Sequence, residues 1–203
     1  MNQQEEKAKR LLDLALAGGG LAALWPLLLL LSVAVKLDSP GPAFYGHERV
    51  GRGWSRFKVW KFRTMVTGAD RAGAAVTAGG DPRITRLGRL LRKTKLDELP
   101  QLWNVLVGEM SMVGPRPEAP RYAEAYREAY DEILSLRPGI TDEAAITYRN
   151  EEEVLAAAED PEAAYLEEVL PKKIELYREY LEEHSLAGDL ELILRTLRAV
   201  VNK

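Results

Sequence analysis

The chain contains no cysteine and only two histidines, His47 and His184, in 203 residues. That excludes a disulfide scaffold, a zinc ribbon and a thiol enzyme, and it leaves no basis for a His-rich metal site. Both histidines read as structural or exposed. Internal repeats and long low-complexity tracts are also missing, so a solenoid is not expected. The net charge of −3 is small, but its distribution is uneven. Residues 36–100 hold 14 basic and 6 acidic side chains, whereas residues 101–203 hold 11 basic and 22 acidic ones. A basic middle followed by an acidic end suggests anionic partners for the middle part alone. The length fits one ordinary domain, or a small domain with an appendage.

Charge is absent from Leu14 to Val35, a run of 22 residues. As a straight helix this is roughly 33 Å, enough to span a bilayer. It lacks a small-x-small cleavage site and leads directly into Lys36-Leu37-Asp38, unlike a secretory signal. Gly18-Gly19-Gly20 loosens the helix, and Pro26, preceded by Trp25, removes a backbone donor in mid-segment. Basic residues flank both ends: Lys7, Lys9 and Arg10 before, Lys36 and the basic region after. The positive-inside rule then puts both ends on the cytoplasmic side. A helix–break–helix hairpin in one leaflet satisfies this. A single transmembrane anchor is the alternative, because exposed backbone at a break is costly in lipid.

Beyond the turn-rich Asp38-Ser39-Pro40-Gly41-Pro42, residues 43–50 and 55–62 flank Gly51-Arg52-Gly53 and predict a β-hairpin. Residues 66–82 read as a loop. From Arg83 to Lys95, Ile84, Leu87, Leu90 and Leu91 fall on helical spacing among six basic residues. Such a cationic amphipathic helix suits an anionic membrane surface, or packs with a solvated basic rim. Residues 97–107 predict a helix with Asp97 as N-cap and Pro100 in its first turn. A short strand is expected at 110–113, and helices at 120–136, 151–158, 161–183 and about 190–201. Nucleic acid is not an expected partner, since the basic stretch carries Leu90 and Leu91 and the chain is acidic overall.

The chemistry-bearing stretch is Arg92-Lys93-Thr94-Lys95-Leu96-Asp97-Glu98-Leu99-Pro100-Gln101. Two adjacent carboxylates follow a dense basic run. A carboxylate beside a bound phosphate can attack phosphorus, or hold Mg²⁺ bridged to phosphate. Equally, Thr94 and Asp97 can form a capping box with Glu98 an ordinary first-turn acid. The residues alone leave these readings open.

The surrounding sequence resembles the bacterial sugar transferases, the monotopic phosphoglycosyl transferases. The matching residues are Gly41-Pro42-Ala43-Phe44-Tyr45, Glu48-Arg49-Val50-Gly51, Lys61-Phe62-Arg63-Thr64-Met65 and Asp81-Pro82-Arg83-Ile84-Thr85. They continue with Leu96 to Gln101, Asn104-Val105-Leu106, Gly108 to Pro117, and Arg137-Pro138-Gly139-Ile140-Thr141. The resemblance runs from about residue 5 to the C-terminus. It implies an α+β, mainly helical chain: a re-entrant membrane helix over residues 1–37, then a catalytic domain over 38–203 with a small β-hairpin and interfacial helices around the site.

It also implies transfer of a sugar-1-phosphate from a UDP-sugar to polyprenyl (undecaprenyl) phosphate, with release of UMP. That is a first membrane step of glycoconjugate synthesis at the cytoplasmic face of a bacterial inner membrane, among its phospholipids. Asp97 would be the nucleophile, forming a covalent phosphosugar intermediate. Glu98 would share acid–base and metal work, with Asp97 and Glu98 as ligands to Mg²⁺. Lys61, Arg63, Arg92, Pro115, Arg116, Pro117 and Arg149 are expected around phosphate or nucleotide. Lys61 and Arg63 could instead form a snorkelling rim, and Arg116 a surface turn. A non-catalytic lipid-binding module and a phosphohydrolase using the same Asp remain rivals.

The chain departs from the family pattern in three places. Trp25 stands where many members have Ser before the membrane proline. Residues 142–150 lack the Gln and second Gly of a common branch, with Arg149 at the matching Arg. Tyr177 falls near a position where the family has Asp. The latter two leave the identity of the sugar undetermined. No multi-span segment precedes the match, so the chain is expected to be a minimal form.

Overall fold

The structure is a computed structural model that describes residues 3–69 and 81–201. Most of the loop expected at 66–82 lies outside the described residues. Helix α1 runs over Gln3–Asp38 as one continuous helix with Pro26 inside it. The expected break at Trp25–Pro26 is therefore not an interruption of the helix. The proline removes one intrahelical bond, and the flanking turns continue through it.

One stripe of α1 packs along nearly its whole length. Arg10, Asp13, Ala17, Gly20, Leu24, Leu28, Leu31 and Val35 recur every three or four residues and all touch the rest of the protein. The opposite face leaves Leu11, Trp25, Leu29, Leu30, Val33 and Leu37 exposed. Among the described residues α1 is the one helix long and apolar enough to cross a membrane.

Strands β1 (Phe44–Val50) and β2 (Arg56–Phe62) form the expected antiparallel hairpin, with Phe44 opposite Phe62 and Val50 opposite Arg56. Its turn places Gly53 and Trp54 at positive φ. Helix α2 (Arg86–Thr94) begins at Thr85, whose hydroxyl accepts from Gly88 N–H. Lys95 then turns left-handed (φ 58°), a 3₁₀ turn covers Leu96–Glu98, and α3 (Gln101–Val107) follows. Asp97 is thus not the cap of a longer helix. The left-handed Lys95 ends α2 and tips the two carboxylates onto a separate turn. Thr94 forms no capping box; its hydroxyl donates back to the Leu90 carbonyl.

Strands β3 (Ser111–Val113) and β4 (Gly139–Thr141) pair in parallel. The helix expected at 120–136 divides into α4 (Pro120–Ala125) and α5 (Arg127–Ile133) at Tyr126, which leaves helical geometry. Helices α6 (Glu143–Thr147), α7 (Glu151–Ala156) and α8 (Pro161–Ala164) follow. A π-helical turn at Tyr165–Val169 joins α8 to α9 (Leu170–Glu183), and α10 (Leu186–Val201) closes the chain.

The core falls into three apolar clusters. One gathers Tyr122, Tyr130, Ile133, Leu155, Leu170 and Tyr177 from the helical C-terminal part, with Val50 from the end of β1. The other two lie under α1, around Val59, Val105 and Met110 and around Phe62 and Leu91. Helices α2 and α3 therefore pack under α1, and the hairpin links them to the helical part through β1 and α4.

Candidate active site

Five consecutive residues from the end of β2 each fasten something different. Lys61 Nζ donates to Glu98 Oε1 at 2.8 Å. Phe62 is buried against Leu31, Val35 and Leu91. Arg63, also buried, donates to the carbonyls of Ser39 (2.7 Å) and Pro40 at the end of α1. Thr64 accepts from Thr85 N–H and, through its hydroxyl, from Arg92 Nε at 2.9 Å. Met65 bridges to Ile84. Lys61 thus meets Glu98, whereas the Arg63 guanidinium is occupied with satisfying helix-end carbonyls.

Asn104, fully buried in α3, holds the free edge of β2. Its side chain accepts from Trp60 N–H at 3.0 Å and donates to the Lys58 carbonyl at 2.7 Å. It acts as a one-residue strand and fixes the register of Lys61 over the 3₁₀ turn. The motif Asn104-Val105-Leu106 does not by itself point to this task; an Asn on an apolar helix face is the signal in the sequence.

On the other side, Gly114 and Gly139 press together. A Cβ on Gly139 would lie 2.2 Å from Gly114 N. The close approach lets Gly139 N–H bond the Pro115 carbonyl at 2.9 Å, and Arg116 follows on this braced turn. Its guanidinium engages both oxygens of Glu98. Pro117 and Arg116, with His47, Arg49, Val59, Lys61 and Gln101, line a cleft of about 260 Å³.

Glu98 therefore sits between two cations. Burial opposes ionisation, yet Arg116 and then Lys61 hold its carboxyl well below the usual carboxylate range. Glu98 in turn raises the Arg116 pKa. Burial lowers the Lys61 ammonium, against the pull of Glu98. Asp97 differs from its neighbour. It is 6% exposed, and its Oδ1 is buried with no hydrogen-bond partner. Burial pushes its carboxyl up against Lys61, and the charge of Glu98 adds to the rise. The charges of Lys95 and Arg92 also act on it and favour the ionised form. One turn on, Gln101 Nε2 is likewise buried and unpartnered. Unsatisfied polar atoms are costly inside a protein and mark places where a ligand or water completes the bonding.

The orphaned Asp97 oxygen is the kind of hard donor Mg²⁺ takes, and such an ion commonly uses one or two carboxylates plus substrate phosphate. Glu98 fits less well in this arrangement, since Arg116 and Lys61 hold its oxygens. No group of three or more potential ligand side chains occurs among the described residues. Arg149 lies in the turn after α6, and no contact among the described residues links it to Glu98 or Asp97.

The Asp–Glu pair thus stands on a tight turn, its Glu98 held by Lys61 and Arg116. The bacterial sugar transferase family model matches residues 4–203, and the chain belongs to that family. Among its relatives is the UDP-glucose:undecaprenyl-phosphate glucose-1-phosphate transferase of Caulobacter vibrioides, 38% identical over 95% of this chain and 69% of its own length. The enzyme of the same name from Escherichia coli is 38% identical over 96% of this chain. The exopolysaccharide production protein ExoY of Sinorhizobium fredii is 36% identical over 95% of this chain and 85% of its own. The chain spans only 40% of the Escherichia coli relative.

Proposed function

We propose that this chain transfers a sugar-1-phosphate from a UDP-sugar to undecaprenyl phosphate at the cytoplasmic face of a bacterial inner membrane. The observation that carries this reading is the unequal pair: Glu98 fully engaged by Lys61 and Arg116, Asp97 beside it with a free buried oxygen. The Asp97 carboxylate attacks the sugar-bearing phosphorus of the donor. The P–O bond to UMP breaks, and UMP leaves with the electron pair. An oxygen of undecaprenyl phosphate then attacks the same phosphorus, forming the lipid diphosphate sugar and returning Asp97 as carboxylate. Splitting the transfer lets one site serve a soluble and a lipid substrate in turn.

Arg116 and Lys61 hold Glu98 ionised and present positive charge to the diphosphate. Arg92, fixed on Thr64, adds to the positive field at Asp97. Since Asp97 is largely covered, the entering phosphate must displace what lies over it. Asp97 is also the residue that would hold Mg²⁺, which supplies neutralisation of diphosphate charge.

The membrane reading, a helix over residues 1–37 beside a catalytic domain over 38–203, rests on the packed stripe of α1. From Arg10 to Val35 is roughly 38 Å of helix, docked throughout on the domain. A helix so held cannot cross a bilayer without taking α2, α3 and the hairpin with it. Continuous through Pro26, it lies along one leaflet, with Trp25, Leu29, Leu30 and Val33 toward lipid.

The test is Asp97→Asn in full chain, assayed with a panel of UDP-sugars, undecaprenyl phosphate and Mg²⁺. UMP release should fall by at least about a thousandfold with thermal stability retained, and parent protein with donor alone should gain the mass of a phosphosugar. Unchanged turnover would remove Asp97 from the nucleophile's role. UMP release without lipid acceptor product would make the chain a hydrolase.

A further inference from the structure

A second cleft, of about 510 Å³, lies away from the dyad, between the N-terminal part of α1, the hairpin turn, β3, the segment before β4 and the end of α9. Four cations line it, Lys9, Arg10, Arg52 and Arg137, against two carboxylates, Glu6 and Asp13. Their commitments are unequal. Lys9 is paired with Asp189, and Asp13 accepts from Ser111 Oγ and Met112 N–H. Arg10 donates to the Val105 and Leu106 carbonyls at the end of α3. Arg137 spends only its Nε, on the Gly108 carbonyl at 3.0 Å. The Arg52 side chain is exposed and makes no hydrogen bond or ion pair among the described residues, its carbonyl alone accepting from Ser55. Beyond burial, the charges of Arg10 and Arg52 lower the Arg137 pKa, and Asp13 and Glu6 offset that only in part, so positive charge is in excess around the Arg137 guanidinium.

Two exposed apolar side chains lead toward this cleft. Trp103 and Val107, one turn apart on α3, are both about half exposed, and their face ends at Gly108. Gly108 is the residue whose carbonyl Arg137 holds and whose Cα faces Arg10 Nη2. Exposed aromatic and aliphatic side chains that run into a cleft with more arginine than carboxylate charge match the chemistry of a bilayer boundary, where acyl chains end and phosphates begin. We propose that this cleft binds the phosphodiester headgroup of an anionic phospholipid, through Arg52 and the free nitrogens of Arg137. Arg10 supplies fixed positive charge from the rear. The site would tie the hairpin turn and the N-terminal end of α1 to the same lipid surface. The inference rests on the membrane seating proposed above, but its test reads binding and is independent of turnover and of topology.

The experiment uses the full chain in neutral detergent, titrated with dioctanoyl phosphatidylglycerol, dioctanoyl phosphatidylcholine and inorganic phosphate, with occupancy read by native mass spectrometry. Phosphatidylglycerol should bind about tenfold tighter than phosphatidylcholine, and Arg52→Gln should weaken it by about tenfold. The Arg52 side chain has no partner among the described residues, so this variant should fold normally; Arg137→Gln should give a loss of similar size. Arg56→Gln removes the same charge elsewhere on the hairpin, where Arg56 pairs with Glu48, and should leave binding unchanged. Three results would each overturn the proposal: no preference for phosphatidylglycerol, equal weakening by Arg56→Gln, or inorganic phosphate binding as tightly as the lipid.

Discussion

At the scale of single residues, the protein places unlike acids within a few bonds of each other. Asp97 and Glu98 are adjacent in sequence, yet one has cationic partners on both oxygens and the other an empty lone pair. A third acid, Asp142, caps α6 through Ala145 N–H while its Oδ2 is buried without a partner. Burial pushes its pKa up to about 6, against Arg116 and Lys173. Its folded value lies above the unfolded one near 3.8, so the folded state binds a proton more tightly. The associated stability is complete below about pH 4 and lost as pH rises through about 6. Asp142→Asn keeps a capping oxygen and removes the buried charge. It should raise thermal stability at pH 8 by about 1–3 kcal/mol and change little at pH 4. A gain independent of pH would refute this account of Asp142.

At the scale of elements, the site depends on how α2 meets the end of β2. Gly88 lies so close to the chain that an added Cβ would sit 2.1 Å from the Thr64 carbonyl oxygen. That carbonyl accepts from Thr85 N–H, and the Thr64 hydroxyl holds Arg92. Gly88→Ala should force α2 away from Thr64, at a cost of about 2–3 kcal/mol. The melting temperature should fall by about 5–10 °C, and turnover should drop because Arg92 moves with the helix. A variant that melts with the parent would show that α2 has room to give. The short 3₁₀ turn at Leu96–Glu98 owes its existence to the left-handed Lys95 before it, which stops α2 and lets both carboxylates leave the helix surface.

At the scale of the whole molecule, α1 behaves as a structural rail. Lys9 and Asp13 secure one end to α10 and β3, and Arg63 secures the other through the Ser39 and Pro40 carbonyls. Because the chain has no native cysteine, Gln3→Cys and Asp38→Cys give clean reporters. In sealed inner-membrane vesicles an impermeant maleimide should label both positions from the cytoplasmic side. Labelling from opposite sides would mean that α1 crosses the bilayer.

The hairpin, the helix after Arg83, the strand near Ser111 and the apolar N-terminal run were all legible in the sequence, because each rests on local periodicity or on a glycine turn. The Asp–Glu pair and its basic neighbours were legible as well, through motif spacing. Local pattern could not separate Lys61 from Arg63, two residues apart: one faces Glu98 and the other the end of a helix 24 residues earlier. Nor could it show that Pro26 stays inside a continuous helix, that Asp97 leaves the helix it would have capped, or that Asn104 completes the edge of β2. Sequence alone determined which chemistry the chain carries, since side-chain type and spacing are written there. Which charges meet, and which oxygen is left without a partner, was decided by tertiary structure, because those contacts form only between segments far apart in the chain.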